Sequence, residues 1–295
     1  MSDYVITCCS TADLTEQIQK ERNIPYACFT FEADGKTYAD DYGRSYPSDR
    51  FFADIKKGMM PITSQVNEEA YKELFEPFLK EGKEVLHISL SSGISGTYNS
   101  ARLAAEELNS VYGNKVYAVD SLCASSGYGM LVIMAKDNQD RGMSLEDNLK
   151  WIEDNKRRII HWFFSSDLTF FIRGGRISKT AGAFGKMLHI CPLMCVTPDG
   201  KLEVKEKIRT KKKVIHAIVD KMEEEAEGGL DYDQSVFISN SACYEDAEAV
   251  KNLVEERFPK CKGKVRIFDI GNLIGSHTGP GTVAMMFWGQ EPRKD

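Results

Sequence analysis

Short apolar runs alternate with stretches of helical periodicity along the first half of the chain. The runs at 4–8, 84–90 and 115–121 predict strands, and the stretches 98–113 and 126–140 predict helices. In the stretch 67–83 the apolar residues share one helical face. Strands that alternate with helices are typical of a parallel sheet with crossover helices. We therefore predict an N-terminal parallel-sheet α/β domain over residues 1–158.

Smaller elements are predicted from capping and turn residues. Residues 10–21 read as a helix capped by Ser10 or Thr11, and 48–58 as a short helix with Ser48 at its N-cap. Residues 27–40 read as a hairpin that turns at Asp34 and Gly35.

The second half of the chain has a different pattern. Residues 159–166 predict a strand, 189–210 a hairpin about Gly200, and the glycine-rich segment 173–188 leads to a short helix. Helices are predicted at about 212–227 and 244–258, with strands at 234–242, 264–271 and 282–289. This mixture favours a C-terminal mixed or antiparallel-sheet α/β domain over residues 159–295.

Composition narrows the class of protein. The 295 residues are 42% hydrophobic and carry a net charge of −6, which is an ordinary globular balance and argues weakly against bulk nucleic-acid binding. No apolar stretch is long enough for a membrane span and the N-terminus lacks the pattern of a signal peptide, so we expect a cytoplasmic protein. The cysteines in apolar runs are expected to be buried free thiols (Cys8, Cys9, Cys28, Cys123, Cys191, Cys195).

Common catalytic and metal-binding patterns are incomplete. A phosphate loop ending at Thr37 would need a glycine where Thr30 stands. The segment around Ser95 approaches a nucleophile elbow, but Thr97 replaces its last glycine. Residues 189–195 place His189 and two cysteines on alternate positions, short of the four ligands that zinc prefers. We therefore predict no metal site and no catalytic residues.

Three segments rich in hydroxyl groups and glycine stand out: 61–65, 90–100 and 274–282. We interpret them as loops at strand ends, where α/β sheets bind ligands. Neutral hydroxyls, backbone N–H groups and the histidine of the third segment suit one anionic head group. Taken singly, each segment is also consistent with ordinary turns and caps.

These segments, with "FIRGGRIS" and "DGKLEVKEKIR", resemble the DegV family in order and spacing over nearly the whole chain. The resemblance implies two α/β domains with one long-chain fatty acid buried between them and no other cofactor. It also implies a non-enzymatic carrier that presents the acyl carboxylate to an ATP-dependent fatty acid kinase, which forms an acyl phosphate.

By position in these motifs, the resemblance assigns the head-group contacts to Thr63, Ser95 and His277, and kinase docking to Arg209. Neighbouring positions of the same motifs join the expected ligand site: Ser64, Gly96, Thr97, Thr278 and Gly279.

The chain also departs from the family pattern. The first strand ends in Cys8-Cys9-Ser10 where Thr-Asp-Ser is usual, Val66 replaces a common proline, and Gly93 sits within the second motif.

Two interpretations of the function stay open, and the basic segment allows three interpretations. An alternative to the carrier is a serine hydrolase of a lipid-like ester, with Ser95 as nucleophile and His277 as base. The basic segment 201–213 fits a solvated face, a partner-docking surface or, less well because Glu203 and Glu206 dilute its charge, a nucleic-acid patch.

Overall fold

A four-stranded parallel sheet forms the centre of the N-terminal half. The computed structural model describes residues 3–178 and 190–294. The strands follow the order β2-β1-β6-β7, and every neighbouring pair is parallel. Their bounds are β1 Tyr4–Cys9, β2 Tyr26–Ala27, β6 Glu84–Ser89 and β7 Val116–Asp120. Strands β1 and β6 are almost wholly buried, as expected for a parallel sheet covered by helices.

Six helices belong to this half. They are α1 Glu16–Glu21, α2 Ser48–Lys56, α3 Glu68–Lys80, α4 Thr97–Tyr112, α5 Ser125–Asp140 and α6 Leu145–Asn155. Helix α3 buries Tyr71, Phe75 and Leu79 on one face, which matches the periodicity of its sequence.

A small antiparallel sheet lies beside the parallel one. The hairpin of β3 Thr30–Ala33 and β4 Lys36–Ala39 turns at Asp34 and Gly35, which confirms that prediction. Strand β5, Ile62–Ser64, adds to the other edge of β3. Residues 62–64 are therefore a strand and not the predicted loop.

The C-terminal half is built on a six-stranded mixed sheet. Its order is β10-β9-β8-β13-β11-β12, and only β11 and β12 pair in parallel. The strands are β8 Ile159–Ser165, β9 Ile190–Val196, β10 Leu202–Arg209, β11 Val236–Asn240, β12 Val265–Asp269 and β13 Thr282–Trp288. The helices are α7 Thr169–Arg173, α8 Lys211–Glu225, α9 Tyr244–Arg257 and α10 Asn272–Thr278.

The helix α10 joins the two halves. The backbone N–H of Gly271 donates to Asp13 Oδ1 at 3.0 Å, and that of Leu273 donates to Asp40 Oδ1 at 3.2 Å. Gly275 packs so closely on Phe52 that a Cβ there would lie 2.8 Å from the ring. Two aspartate side chains from the N-terminal half thus accept hydrogen bonds from the start of a helix from the C-terminal half.

The predicted fold class is confirmed, with a parallel sheet first and a mixed sheet second. The boundary between 158 and 159 stays a prediction, since helix α10 packs against both halves. The end of the glycine-rich segment 173–188 lies outside the described residues.

Two helix starts differ from the sequence prediction. Residues Ser10–Ala12 form one 3₁₀ turn, and the helix after it begins at Glu16 with Thr15 as its N-cap. Helix α2 begins at Ser48 itself, with Pro47 at the N-cap. In the first case a true capping residue lies further along, because Thr15 accepts a hydrogen bond from the N–H of Ile18.

The cysteine prediction is confirmed except at one position. Five of the six named thiols are buried and unpaired, whereas Cys28 is exposed. Among the described residues, no helix has the length and apolar character needed to cross a bilayer.

The buried Asp13 predicts a stability that depends on pH. Burial raises its pKa from 3.8 to about 8, so the folded state keeps a proton that the unfolded state releases. Stability should fall as the pH rises through that window, by up to about 1.4 kcal/mol per pH unit for one proton. Asp13→Asn should reduce this fall, as measured by thermal unfolding between pH 5 and 8.

The exposed turn residue offers a matched control. Asp34→Asn makes the same chemical change at a solvated position and should leave the pH dependence of unfolding unchanged. An unfolding profile for Asp13→Asn that parallels the wild type at every pH would contradict the assignment.

Candidate functional site

A cavity of about 230 Å³ lies between the two halves, and we call it the central cavity. Its walls come from segments that follow the carboxyl ends of β2, β6 and β7, from β5, and from β8, β13 and α10. Most of the side chains that line it are apolar: Phe29, Leu90, Ile94, Ala124, Phe163, Phe171, Val196, Leu202, Ile270, Leu273, Ile274, Ala284 and Met286. Six polar residues lie around the contact between Thr63 and His277, and three more line the wall: Thr63, Gln65, Ser95, Arg176, His277 and Thr278, then Ser125, His161 and Thr282.

Strand alternation explains how the large sheet builds the apolar wall. On β13 the residues Thr282, Ala284 and Met286 line the cavity, while Met285 between them faces the other side of the sheet. The methionine-rich run at 285–288 therefore contributes Met286 to the wall, and its other residues belong to the core.

The polar end centres on a hydrogen bond between the two halves. Thr63 Oγ1 lies 2.9 Å from His277 Nε2. Thr63 is the central residue of β5, whose pleat directs its neighbours to the opposite face. His277 lies on the last turn of α10. The segment 274–282, predicted as a loop, is therefore helical up to Thr278, and the loop begins at Gly279.

The imidazole of His277 is held in its neutral form. Burial, together with the nearby Arg176 and Arg173, lowers its pKa from 6.5 to about 4. Its Nδ1 is buried without a hydrogen-bond partner, and a Cβ added to Gly174 would lie 2.4 Å from that atom. A glycine at 174 therefore leaves room for the ring. Because the imidazole is neutral, it supplies no positive charge at neutral pH.

Ser95 sits in the turn that leads into α4. Its Oγ accepts a hydrogen bond from the N–H of Thr97 at 3.2 Å. Gly96 next to it also lines the cavity and packs on Gln65, since a Cβ there would lie 2.4 Å from the amide oxygen. The start of a helix thus presents both a hydroxyl and backbone N–H groups toward the cavity.

The turn of the second-half hairpin supports this loop. Ser91 Oγ donates to the carbonyl of Gly200 at 2.8 Å. A Cβ at Gly93 would lie 2.5 Å from the backbone of Gly200, so the departure from the family pattern at Gly93 permits a close approach of two backbones.

Arg176 is a cavity residue whose role sequence reasoning did not assign. Its Nε donates to the carbonyl of Ile94 at 3.0 Å and its Nη1 to that of Gly174 at 2.6 Å, so it connects the loop before Ser95 to the turn after α7, on which the His277 ring packs. Burial lowers its pKa, yet it remains the one charged side chain in the cavity wall formed by the described residues. The motif "FIRGGRIS" contained the signal, but the sequence could not show which arginine faces inward.

The remaining expected site residues fall into two groups. Thr278 lines the cavity beside His277, and its Oγ1 donates to the carbonyl of Gly279 at 3.2 Å. Three others lie outside the cavity wall: Ser64 is exposed, Thr97 bonds the hydroxyl of Tyr71, and Gly279 packs on Phe170. Arg209 is exposed at the end of β10, also outside that wall.

The unusual cysteine at position 9 belongs to a buried network below α4. Its Sγ lies 3.1 Å from the hydroxyl of Tyr71, which in turn lies 2.7 Å from Thr97 Oγ1. Burial raises the pKa of this thiol to about 11, so it is neutral. Where the family pattern has an aspartate, this chain therefore has an uncharged thiol. It does not line the cavity but is linked through Tyr71 to Thr97 at the start of α4.

The geometry does not form the catalytic arrangement that the serine hydrolase alternative requires. His277 Nε2 bonds Thr63 and no hydrogen bond joins it to Ser95, while its Nδ1 has no acid partner among the described residues. Within residues 3–178 and 190–294, no group of three or more potential ligands is arranged to hold a metal. Cys191 and Cys195 are described and buried, whereas His189 lies outside these ranges.

A largely apolar cavity with one polar end, set between two α/β halves, is typical of proteins that bind an amphipathic small molecule. The family model described as "Uncharacterised protein, DegV family" matches residues 4–290. A DegV domain-containing protein of Clostridium perfringens is 36% identical over 290 residues, covering 98% of each chain. The chain therefore belongs to the DegV family.

Solved structures agree with this assignment. A DegV-family protein from Thermus thermophilus, described as binding a fatty acid, shares 26% identity and a TM-score of 0.85 over 97% of this chain and 99% of its own. DegV of Bacillus subtilis, described as a fatty-acid-binding protein, shares 26% identity and a TM-score of 0.81 over 99% of this chain and 100% of its own.

The His277 ring predicts a titration that responds to an anionic ligand. In the empty protein its NMR signal should titrate near pH 4, and a carboxylate beside Thr63 should raise that pKa. By linkage, affinity for the ionised ligand should weaken as the pH rises through the ligand-bound pKa. Spectra of the protein with and without palmitate measure the shift, and the His277→Gln spectrum assigns the signal. A His277 titration that palmitate leaves unchanged would remove the ring from the head-group site.

Proposed function

We propose that this chain binds one long-chain fatty acid in the central cavity, with the carboxylate at the Thr63–His277 end. The observation that carries the proposal is the composition of the cavity wall, which is mostly apolar and has hydroxyls, an arginine and a histidine around the Thr63–His277 contact. The fatty-acid-binding relatives from Thermus thermophilus and Bacillus subtilis support the same ligand class.

The polar end suits a carboxylate through neutral donors. With the imidazole proton on Nε2, His277 donates to Thr63 Oγ1, and Thr63 turns its own hydroxyl proton toward the ligand. Ser95 offers a second hydroxyl, and Arg176 supplies the positive charge that balances the anion. A buried carboxylate requires such donors, because its desolvation is otherwise very costly.

The apolar walls supply the affinity for the acyl tail. A C16 chain has about fifteen CH₂ and CH₃ groups, and burying each gains roughly 0.8 kcal/mol, or on the order of 12 kcal/mol before ordering costs. Since hydroxyl donors also bind phosphate oxygens, the same polar end accommodates an acyl phosphate.

The chain acts, in this proposal, as a carrier for an ATP-dependent fatty acid kinase that phosphorylates the bound carboxylate. The family resemblance supports this role and suggests Arg209 for the docking surface. An exposed arginine at the end of a strand that alternates charged residues suits an acidic partner.

Removing one head-group hydroxyl should weaken fatty acid binding. Thr63→Val keeps the shape of the side chain, and Ser95→Ala removes a single oxygen. Loss of one hydrogen bond to a charged acceptor should cost about 1.5–3 kcal/mol, as measured by calorimetric titration with palmitate.

Strand alternation provides the control for this experiment. Ser64→Ala changes the next residue of β5, which points away from the cavity, and should leave palmitate affinity unchanged. Wild-type affinity in both Thr63→Val and Ser95→Ala would disprove the head-group assignment.

Arg209 should matter for turnover but not for lipid binding. Arg209→Ala leaves the central cavity intact, so palmitate affinity should match the wild type, while phosphorylation of the bound lipid by the kinase should slow about ten-fold or more. Arg141→Ala, an exposed arginine outside the basic segment 201–213, is the matched control. Lost lipid affinity with normal turnover would contradict the docking role.

A further inference from the structure

A second cavity, of about 270 Å³, adjoins the central cavity at His161 and Val196, and we call it the C-terminal cavity. Residues 290–294 cover it against strands β8 and β9. His161 and Val196 line both cavities, so these two side chains form the wall between them. The fatty acid site as described above makes no use of this space.

The C-terminal cavity contains a buried arginine with unmet donors. Arg293 is 8% exposed, and its Nη2 donates to the carbonyl of Leu122 at 2.8 Å. Its Nε and Nη1 are buried and have no hydrogen-bond partner. Within residues 3–178 and 190–294, no carboxylate forms an ion pair with it, and the thiol of Cys123 lies 3.9 Å from Nη2.

This arrangement is costly for an empty site. A buried charge without a partner is strongly destabilising, and native proteins rarely leave arginine donors unpaired. Guanidinium N–H groups match the oxygens of carboxylates and phosphates. An anion that enters the cavity would supply acceptors for these donors.

The other charged groups that face the cavity are of both signs and are compatible with a bound anion. Lys205 and Lys294 add positive charge at its rim, with Lys205 paired to Glu203. Glu291 contributes a negative charge at the same rim. Glu225 opposes an anion, but it accepts a hydrogen bond from the indole N–H of Trp162 at 3.0 Å, and burial raises its pKa.

We propose that the C-terminal cavity is an anion site in which Arg293 binds a carboxylate or phosphate group. The anion has two possible sources that share this chemistry. It is either a free anion from solvent or the distal carboxylate of a long-chain dicarboxylic acid whose tail passes the wall at His161 and Val196.

Calorimetric titration of the full chain with inorganic phosphate, palmitate and hexadecanedioate tests the proposal. Arg293→Gln keeps a donor for the Leu122 carbonyl but removes the charge, and exposed Arg141→Gln is the control for net charge. If the anion is free, phosphate affinity should fall about ten-fold or more in Arg293→Gln only. If it is the end of a lipid, hexadecanedioate should bind the wild type more tightly than palmitate, and Arg293→Gln should abolish that difference.

A second variant keeps the test informative if Arg293→Gln is poorly folded. Glu225→Gln retains the acceptor for Trp162 and removes the opposing charge, so it should strengthen binding of the same anion several-fold. The phosphate arm does not depend on the central cavity and therefore stands apart from the proposed function. Phosphate and hexadecanedioate affinities that are independent of both Arg293 and Glu225 would overturn the proposal.

Discussion

The hydrogen bond between Thr63 and His277 is the contact on which the site depends. It joins side chains 214 positions apart, one on the edge strand of the small sheet and one on a helix of the C-terminal half. Asp13 and Asp40 accept hydrogen bonds from the start of that helix and so help to set the position of His277. The geometry of the polar end is therefore a property of the interface between the halves.

Burial and nearby charges set the protonation states of the groups at that interface. Burial and two arginines keep His277 neutral, and burial keeps protons on Asp13 over most of the physiological pH range. In the proposed complex, Arg176 and neutral donors from the described part of the wall would balance the charge of the carboxylate. Such a balance favours one buried carboxylate, whereas a histidinium beside Arg176 would add a like charge.

The sequence predicts the fold well where periodicity and local residues suffice. The buried strands β1 and β6, the face of α3 and the turn at Asp34 follow from patterns within each segment. The sequence prediction fails where tertiary contacts determine the local structure. Residues 62–64 form a strand because they pair with β3, and residues 272–278 form a helix whose start is held by an aspartate more than 200 residues away.

The candidate site shows the same division. Motif resemblance points to Thr63, Ser95 and His277, and the structure places all three in one cavity wall. It could not separate Thr63 from Ser64, because which of them faces inward depends on the register of β5 with β3. Arg176 was missed for a similar reason, since two arginines share one short motif and only packing shows which one lines the cavity.

The central claim is that one fatty acid occupies the space between the halves, and native mass spectrometry after incubation with palmitate tests it most directly. Ala284→Phe fills the cavity from β13 at a position that faces inward. The account predicts one palmitate per wild-type chain and little or none in the variant. Equal palmitate occupancy in both proteins, or none in the wild type, would contradict it.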